Sequence, residues 1–227
     1  IANLENSLRH VESTILNQLA ASYTKVNIRP VVAAINKITE RKLDYPAIGT
    51  GGVKVPVSTL NLLNGAPIGE GLTIFRETIY SDFAAFKNVT SIIYEKGARH
   101  VGILGLAYRP GEIELGVCPG LEIAEELINS SIKVKINDSI HQRYLKEISN
   151  EIGYFPFPTG LSEFDLLLVV SPLKEYKSIK WSSLKTHVKE TCVIDCVGIW
   201  DKFSWSEVDA EYILLGDKRE RNRGLRI

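Results

Sequence analysis

The residues with the clearest potential for chemistry lie in one glycine-rich stretch, positions 47–58, which reads AIGTGGVKVPVS. Its candidate ligand-binding residues are Gly49, Gly51, Gly52, Lys54 and Pro56. Glycine reaches positive φ values without a steric penalty and lets the backbone approach a ligand closely, and proline stiffens the exit from the loop. We therefore interpret the stretch as a ligand-binding loop, with Lys54 as its candidate working residue. The alternative is a flexible connector between two helices.

A weaker candidate is the pair Gly102 and Gly105, at the first strand-like run of the second half. Their spacing is not G-x-G-x-x-G, and Pro110 interrupts the loop before the next helix, so the motif supports NAD binding only poorly. A nucleotide could still bind there, with Arg109 facing a phosphate or the base.

Neither a metal site nor a serine nucleophile is visible in the sequence. The four histidines fall in separate predicted elements without ligand spacing: His10, His100, His141 and His187. No G-x-S-x-G motif is present. Cys118, Cys192 and Cys196 also lack metal spacing, and we interpret the last two as small buried residues on a strand. This cysteine usage favours a reducing cytoplasm.

Composition limits the possible partners. The 227 residues have a formal net charge of zero, which gives no bulk electrostatic reason to expect nucleic acid or an anionic membrane. No apolar run approaches the roughly 18 residues of a membrane span. The last ten residues hold five basic side chains, and we interpret them as a solvated chain end in preference to a nucleic-acid arm.

The glycine-rich stretch must be positioned by helices. Apolar periodicity predicts helices over 3–24, from about Arg29, over 57–63 and over 72–96. The stripe of the first helix is Leu4, Leu8, Val11, Ile15 and Leu19, and that of the second is Val31, Ala34, Ile35 and Ile38. The stripe of the last helix is Leu72, Phe75, Ile79, Phe83, Phe86, Val89 and Ile93. This last face could pack in the chain's own core or on a partner subunit, and both interpretations stay open.

The second half alternates strands with helices. Strands are predicted over 101–106, 133–137, 164–171, 191–197 and 212–215, and helices over 119–130, 141–152 and 181–188. This alternation predicts an α/β domain with a doubly wound, mostly parallel Rossmann-like sheet, over 98–227, after a helical domain over 1–97. Such sheets bind ligands beyond the carboxyl ends of their strands, here 106–116, 137–139, 171–176 and 197–201.

Four motifs in order resemble the UDP-glucose/GDP-mannose dehydrogenase family. GTGGVKVPVS resembles the family's active-site loop GxGGxCxPxD, and VGILGLAYRPGEIE resembles VxVLGLAFKPxTDD. CPGLEIAEEL and VIDCVGIWD resemble SPALEIxxxL and VIDGRNIYD. The resemblance covers nearly the whole chain. It implies a helical middle domain that forms a homodimer and a C-terminal domain that binds a UDP-sugar. It also implies NAD, bound by an N-terminal Rossmann domain that we expect to be absent from this chain.

The same resemblance implies that most catalytic positions are substituted. The family cysteine, which forms a thiohemiacetal and then a thioester with the substrate, aligns with Lys54. A lysine would instead give a carbinolamine, whose oxidation yields a stable amide. The family aspartate aligns with Ser58 and the oxyanion-stabilising lysine with Ala2, so that Asn6 is the only retained catalytic position. Arginines of the nucleotide-sugar domain align with Gly116 and Val197.

Two hypotheses follow from this contrast. The first is a nucleotide-sugar dehydrogenase homologue with impaired or altered chemistry, in which Lys54 binds a sugar or phosphate or supports a single oxidation. The second is a non-catalytic binding or assembly protein built on the dehydrogenase scaffold. Scaffold glycines are kept while charged residues are lost, so we favour loss of the standard four-electron activity. Arg109, which replaces a family lysine, could still bind a phosphate or ribose.

Overall fold

The computed structural model describes residues 1–22, 26–50, 52, 54–66, 71–107, 110, 118–142 and 152–217. The first part of the chain is helical. Its helices are α1 (Ala2–Ser22), α2 (Ile28–Ile38), α3 (Lys54–Asn64) and α4 (Thr73–Glu95). Helix α1 contacts all three of the others. Within the described ranges, none of the helices is long and apolar enough to cross a lipid bilayer.

Helix α1 buries a mainly polar face and exposes most of its apolar stripe. The buried positions are Ser7, His10, Ser13, Thr14 and Ala20. Leu4, Leu8 and Ile15 of the predicted stripe are 52%, 57% and 49% exposed, whereas Val11 and Leu19 are half-buried, so the stripe is not the main buried face of this helix. The polar face is buried because α3 and α4 offer it hydroxyl and carboxylate partners.

The stripe predicted for α2 is also wrong as a buried face. Ile28 and Val32 are buried and pack with Ala20 of α1, whereas Val31 and Ile38 are exposed. The burial of α2 is concentrated in its first half, where the helix meets the end of α1. A periodicity counted from Val31 therefore selects positions on the solvent side.

Helix α4 divides its predicted stripe between two environments. Phe86, Val89 and Ile93 are buried in the same core cluster as the sheet residues. Phe83 is 56% exposed, and Ile74 near the start of the helix is 68% exposed. The intrachain-core interpretation is thus confirmed for the C-terminal half of the helix and does not extend to Phe83.

Six parallel strands form the second part of the chain, in the order β3-β2-β1-β4-β5-β6. They are β1 (His100–Leu104), β2 (Lys133–Asn137), β3 (Gly153–Tyr154), β4 (Leu166–Val169), β5 (Cys192–Asp195) and β6 (Glu211–Leu214). The helices of this part are α5 (Pro119–Asn129), α6 (Lys174–Ser178) and α7 (Trp181–Leu184). The predicted doubly wound parallel sheet is confirmed.

Strand β4 shows why the sheet is stable. All four of its residues are buried, and successive side chains point to opposite faces. Leu166 and Leu168 join the core cluster that contains the end of α4, whereas Leu167 and Val169 join a second cluster on the other face. Full burial of such a side chain contributes about 1.5–3 kcal/mol, so the continuous apolar run is explained by burial on both faces.

Several predicted boundaries differ from the observed ones. Strand β1 ends at Leu104 because Gly105 has a φ of 85°, which an extended strand does not accommodate. Helix α3 begins at Lys54, three residues before the predicted start at 57. Helix α7 ends at Leu184, and the short elements β3 and α6 were not predicted. Most of the predicted helix 141–152 lies outside the described residues.

Candidate functional site

The glycine-rich loop is held in place by its own backbone and by α1 and α4. Gly49 and Gly52 have φ values of 85° and 90°, which side chains larger than hydrogen rarely adopt. The Ala47 amide donates to Asn17 Oδ1 of α1 across 3.0 Å. Thr50 Oγ1 donates to Asp82 Oδ2 of α4 across 2.8 Å. The predicted need for glycine is thus confirmed at these two positions, and Gly51 lies outside the described residues.

Two of the residues aligned with catalytic positions are in contact. The side-chain amide of Asn6 on α1 donates to Ser58 Oγ on α3 across 3.0 Å. Ser58 is buried and Asn6 is half-buried. Lys54 is exposed at the first position of α3, and Pro56 is buried in its first turn, where a proline does not break a helix. Ala2, one turn before Asn6 on α1, is exposed.

A buried histidine lies next to this pair. His10, one turn after Asn6 on α1, is fully buried, with Nδ1 2.8 Å from Thr59 Oγ1 and Nε2 2.6 Å from Asp82 Oδ2. Asp82 Oδ2 thus contacts both His10 Nε2 and the hydroxyl of the loop residue Thr50. We did not predict this cluster from the sequence. The signal for it was the recurrence of polar residues at helical spacing along α1, at positions 6, 10 and 17.

A cleft of about 360 Å³ lies between the helical part and the carboxyl edge of the sheet. The helical part contributes the segment 44–47, which leads directly into the glycine-rich loop. The sheet part contributes Pro110, Pro172, Val197 and Ile199, from the segments after β1, β4 and β5. Each of these segments lies within a predicted ligand-binding edge, although the facing wall at 44–47 was not predicted.

The position of the cleft follows from the strand order. Strand β1 pairs with β2 on one side and with β4 on the other. From β1 the chain adds β2 and β3 in one direction, and from β4 it adds β5 and β6 in the opposite direction. The order of the strands therefore reverses between β1 and β4. Ligands of open α/β sheets bind at such a reversal, outside the carboxyl ends of the strands.

Arg29 of α2 holds the two walls of the cleft together. Its Nη2 donates to the Pro46 carbonyl across 2.9 Å, and its Nε donates to the Leu215 carbonyl across 2.7 Å. The guanidinium carbon lies 5.5 Å from the centre of the Tyr45 ring. A Cβ at Gly198 would lie 2.7 Å from Arg29 Nη1, so only glycine leaves room for the guanidinium at this point.

Asp195, at the end of β5, orders the loop that carries Val197 and Ile199. Its carboxylate accepts hydrogen bonds from three backbone amides within the next five residues and from the Tyr212 hydroxyl, at distances of 2.6–3.1 Å. Burial lowers the pKa of Arg29 from its ordinary value, and the charge of Asp195 opposes that change. The guanidinium remains charged at any physiological pH, and the carboxylate of Asp195 offsets part of the cost of burying it.

The glycines near β1 pack against protein atoms. A Cβ at Gly102 would lie 2.6 Å from Phe164, and one at Gly105 would lie 2.2 Å from Ser171. A Cβ at Gly120, near the start of α5, would lie 2.6 Å from the Gly105 carbonyl. These small residues serve strand and helix packing. Their spacing is not that of the G-x-G-x-x-G dinucleotide fingerprint.

The remaining sequence candidates form no further site in the described part of the chain. Arg109 and Gly116 lie outside it, and no cluster of metal-ligating side chains occurs within it. The cysteines form no disulfide. Cys196 is buried, as predicted, whereas Cys192 is half-buried. Burial raises the pKa of Cys192 to about 12 and that of Cys196 well above its ordinary value.

Comparison with solved structures identifies the fold. The chain superimposes on a UDP-glucose dehydrogenase from Pyrobaculum islandicum with a TM-score of 0.76 and 18% identity, over 93% of this chain and 49% of that one. A UDP-D-ManNAc dehydrogenase from Pyrococcus horikoshii gives a TM-score of 0.70 and 21% identity, over 94% and 50%. These similarities establish the fold, which is that of nucleotide-sugar dehydrogenases.

Sequence comparison finds the family resemblance in the C-terminal part of the chain. Residues 102–202 match the UDP binding domain of the UDP-glucose/GDP-mannose dehydrogenase family. UDP-N-acetyl-D-mannosamine dehydrogenase of Pyrococcus horikoshii is 24% identical over 202 residues, which are 85% of this chain and 46% of that protein. UDP-glucose 6-dehydrogenase of Rickettsia typhi is 26% identical over 123 residues, 53% of this chain and 28% of that protein. The resemblance to this family is confirmed, and the family match lies in the C-terminal part of the chain. The chain as given spans half or less of the length of these relatives.

Proposed function

We propose that the chain binds a nucleotide-sugar, of the UDP-sugar class, in the cleft between segment 44–47 and the carboxyl edge of the sheet. One observation carries the proposal. The cleft lies at the reversal of strand order, and its sheet wall falls within the stretch that matches the family's UDP binding domain. A mixed wall of proline, aliphatic and aromatic groups with few charges is typical of a small-molecule site.

The arrangement of the helical part supports a link between this cleft and the glycine-rich loop. Segment 44–47 forms a cleft wall, and the chain then passes through Gly49 and Gly52 to Lys54 and Ser58. We propose that a sugar attached to a nucleotide in the cleft extends along this segment toward the Asn6–Ser58 pair. We therefore assign Asn6 to the sugar end of the site, with Gly49, Gly52, Lys54 and Pro56 as the other described residues proposed to bind there.

We further propose that the standard dehydrogenase chemistry is impaired or altered. Lys54 places an amine, and not a thiol, at the position that aligns with the family nucleophile, and Ser58 places a hydroxyl where the family has a carboxylate. An amine cannot form the thioester that water cleaves at the end of the family reaction. The hydride acceptor implied by the family is NAD, and we assign it no site among the described residues.

The alternative proposal is a non-catalytic binding or assembly protein on the same scaffold. An assembly role fits the helical part, because helices α1 and α4 expose large apolar side chains, among them Leu8, Ile15, Ile74 and Phe83. Exposed apolar groups in such number are typical of a surface that a partner covers. We propose that a second copy of the chain covers these helices, as the family resemblance implies, in both versions of the function.

Calorimetric titration separates the two versions. We expect UDP and UDP-glucose to bind to the purified chain and NAD to show no binding heat. Binding of neither UDP nor UDP-glucose would remove the nucleotide-sugar site and leave the assembly role. NAD binding would show that the chain itself provides a dinucleotide site, contrary to this expectation.

A spectrophotometric assay tests the impaired chemistry. The chain supplied with UDP-glucose and NAD should produce no NADH, and steady turnover would refute the proposal. The double variant Lys54→Cys with Ser58→Asp restores the two loop positions. We expect it to stay inactive because Ala2 still stands at the position of the oxyanion-stabilising lysine. NADH production by this variant would show that the loop alone is defective.

A further inference from the structure

Of the charged side chains described at the cleft, one has an ion-pair partner and the other does not. Asp44 and Lys177 are the two charged residues among those that line it. Asp44 Oδ2 is paired with Arg9 Nη2 of α1 at 3.0 Å. The ammonium of Lys177 has no carboxylate or hydrogen-bond acceptor among the residues that the structure describes. Among its described lining residues, the cleft therefore presents one uncompensated positive charge, carried by Lys177.

The backbone that carries Lys177 is fixed from both sides. Lys177 lies in α6, directly after the buried residue Tyr176, whose hydroxyl donates to Asn137. Trp200 Nε1 donates to the Tyr176 carbonyl across 2.9 Å, and Lys202 Nζ donates to the Lys177 carbonyl across 3.2 Å. The side chain of Lys177 thus starts from an anchored position, which reduces the entropy that a ligand contact would cost.

The other basic groups near the cleft that the structure describes already have partners. Arg9 pairs with Asp44, and Lys202 Nζ donates to the Lys177 carbonyl. Two of the three nitrogens of the Arg29 guanidinium donate to backbone carbonyls, and the third faces Gly198. Val197, which lines the cleft one residue before Gly198, contributes only methyl groups. A ligand phosphate in the cleft therefore has Lys177 as its available cation among the described residues.

We propose that Lys177 binds the diphosphate of the nucleotide through its ammonium group. The side chain offers three donors and a compact charge, which suit the non-bridging oxygens of a nucleoside diphosphate. The assignment deepens the proposed function and rests on it. It makes α6, an element with no counterpart in the predicted secondary structure, the source of anion recognition in the cleft.

The test compares ligands with and without phosphates. UDP and uridine are titrated into the wild-type chain, Lys177→Gln and the matched control Lys174→Gln, which removes an exposed lysine from the same helix outside the cleft. A hydrogen bond to a charged group contributes enough that we expect Lys177→Gln to weaken UDP binding about 10- to 100-fold. Uridine affinity should be unchanged, and Lys174→Gln should bind both ligands as the wild type does.

Each other outcome overturns a defined part of the account. If Lys177→Gln binds UDP as tightly as the wild type, or if Lys174→Gln loses as much affinity, the assignment of Lys177 is wrong while the nucleotide site stands. If the wild type binds UDP no more tightly than uridine, the cleft does not recognise phosphate and the assignment is equally wrong. If the wild type binds neither ligand, the proposed function fails together with the assignment.

Discussion

The amide of Asn6 donates a hydrogen bond to Ser58 Oγ across 3.0 Å, and this contact joins α1 to the helix that follows the glycine-rich loop. The two residues are 52 positions apart. The alignment with the family pattern assigns both of them to catalytic positions. Their contact shows that these two positions lie side by side, and their catalytic assignment stays a prediction.

A double-mutant cycle measures this contact. Asn6→Ala, Ser58→Ala and the double variant should give a coupling energy of about 0.5–1.5 kcal/mol, the range of a typical intramolecular hydrogen bond. The measurement is the free energy of unfolding from urea denaturation. Additive effects of the two single substitutions would show that the side chains are not bonded in solution.

Asp82 is expected to hold the glycine-rich loop on α4. Its Oδ2 atom contacts both His10 Nε2 and Thr50 Oγ1. Asp82→Ala leaves the fully buried His10 and the loop hydroxyl without this acceptor, and we expect a loss of about 2–4 kcal/mol in the free energy of unfolding. Glu77→Ala, at an exposed position of α4, is the matched control.

Hydrogen exchange adds a local readout to that experiment. The Ala47 amide, bonded to Asn17 Oδ1, should exchange faster in Asp82→Ala because the loop loses its anchor at Thr50. Equal stability of Asp82→Ala and Glu77→Ala, with unchanged exchange at Ala47, would mean that the loop is held by other contacts.

Arg29 is expected to matter for both stability and binding. Arg29→Gln removes the donors to the Pro46 and Leu215 carbonyls, and unsatisfied backbone groups should lower the free energy of unfolding by about 1–3 kcal/mol. UDP affinity should fall as well, because the segment 44–47 is no longer held against the sheet. The control is Arg76→Gln, at an exposed position of α4. Unchanged UDP affinity in Arg29→Gln would show that the Arg29 hydrogen bonds do not shape the cleft.

The exposed stripe of α1 should tolerate charge in the monomer. Leu8 is 57% exposed, so Leu8→Glu should leave the fold intact by circular dichroism, whereas Val32→Glu, at a fully buried position, should unfold the chain. Sedimentation velocity then reports the oligomeric state. We expect a dimer for the wild type and a monomer for Leu8→Glu, and a dimer that survives this substitution would place the interface elsewhere.

Sequence patterns predicted the sheet better than the site. The continuous run of β4 indicated a strand buried on both faces, and the glycines at 49 and 52 indicated positive φ values, because burial and steric freedom are local properties of the residues. The register of α1 was missed because its buried face is polar, and a count of apolar residues cannot identify such a face. The partners of this face are distant in sequence, and Asp82 lies 72 positions after His10.

Only one wall of the cleft was predicted from the sequence. Its sheet wall follows from the general placement of ligands at strand ends. Its other wall, 44–47, has no motif and depends on Arg29, whose bond to Leu215 joins residues 186 positions apart. Lys177 was missed for a similar reason, since α6 is a five-residue helix with no apolar periodicity of its own.

The most direct test of the central claim is to map UDP on the chain by two-dimensional NMR of the backbone amides. The account predicts that UDP shifts the amides of Tyr45 and Ala47 on one wall of the cleft and those of Val197 and Ile199 on the other. It predicts no shift at the exposed end of α2, near Ile38. Shifts confined to residues outside the cleft, or no shifts at saturating UDP, would contradict the assignment of the cleft as a nucleotide-sugar site.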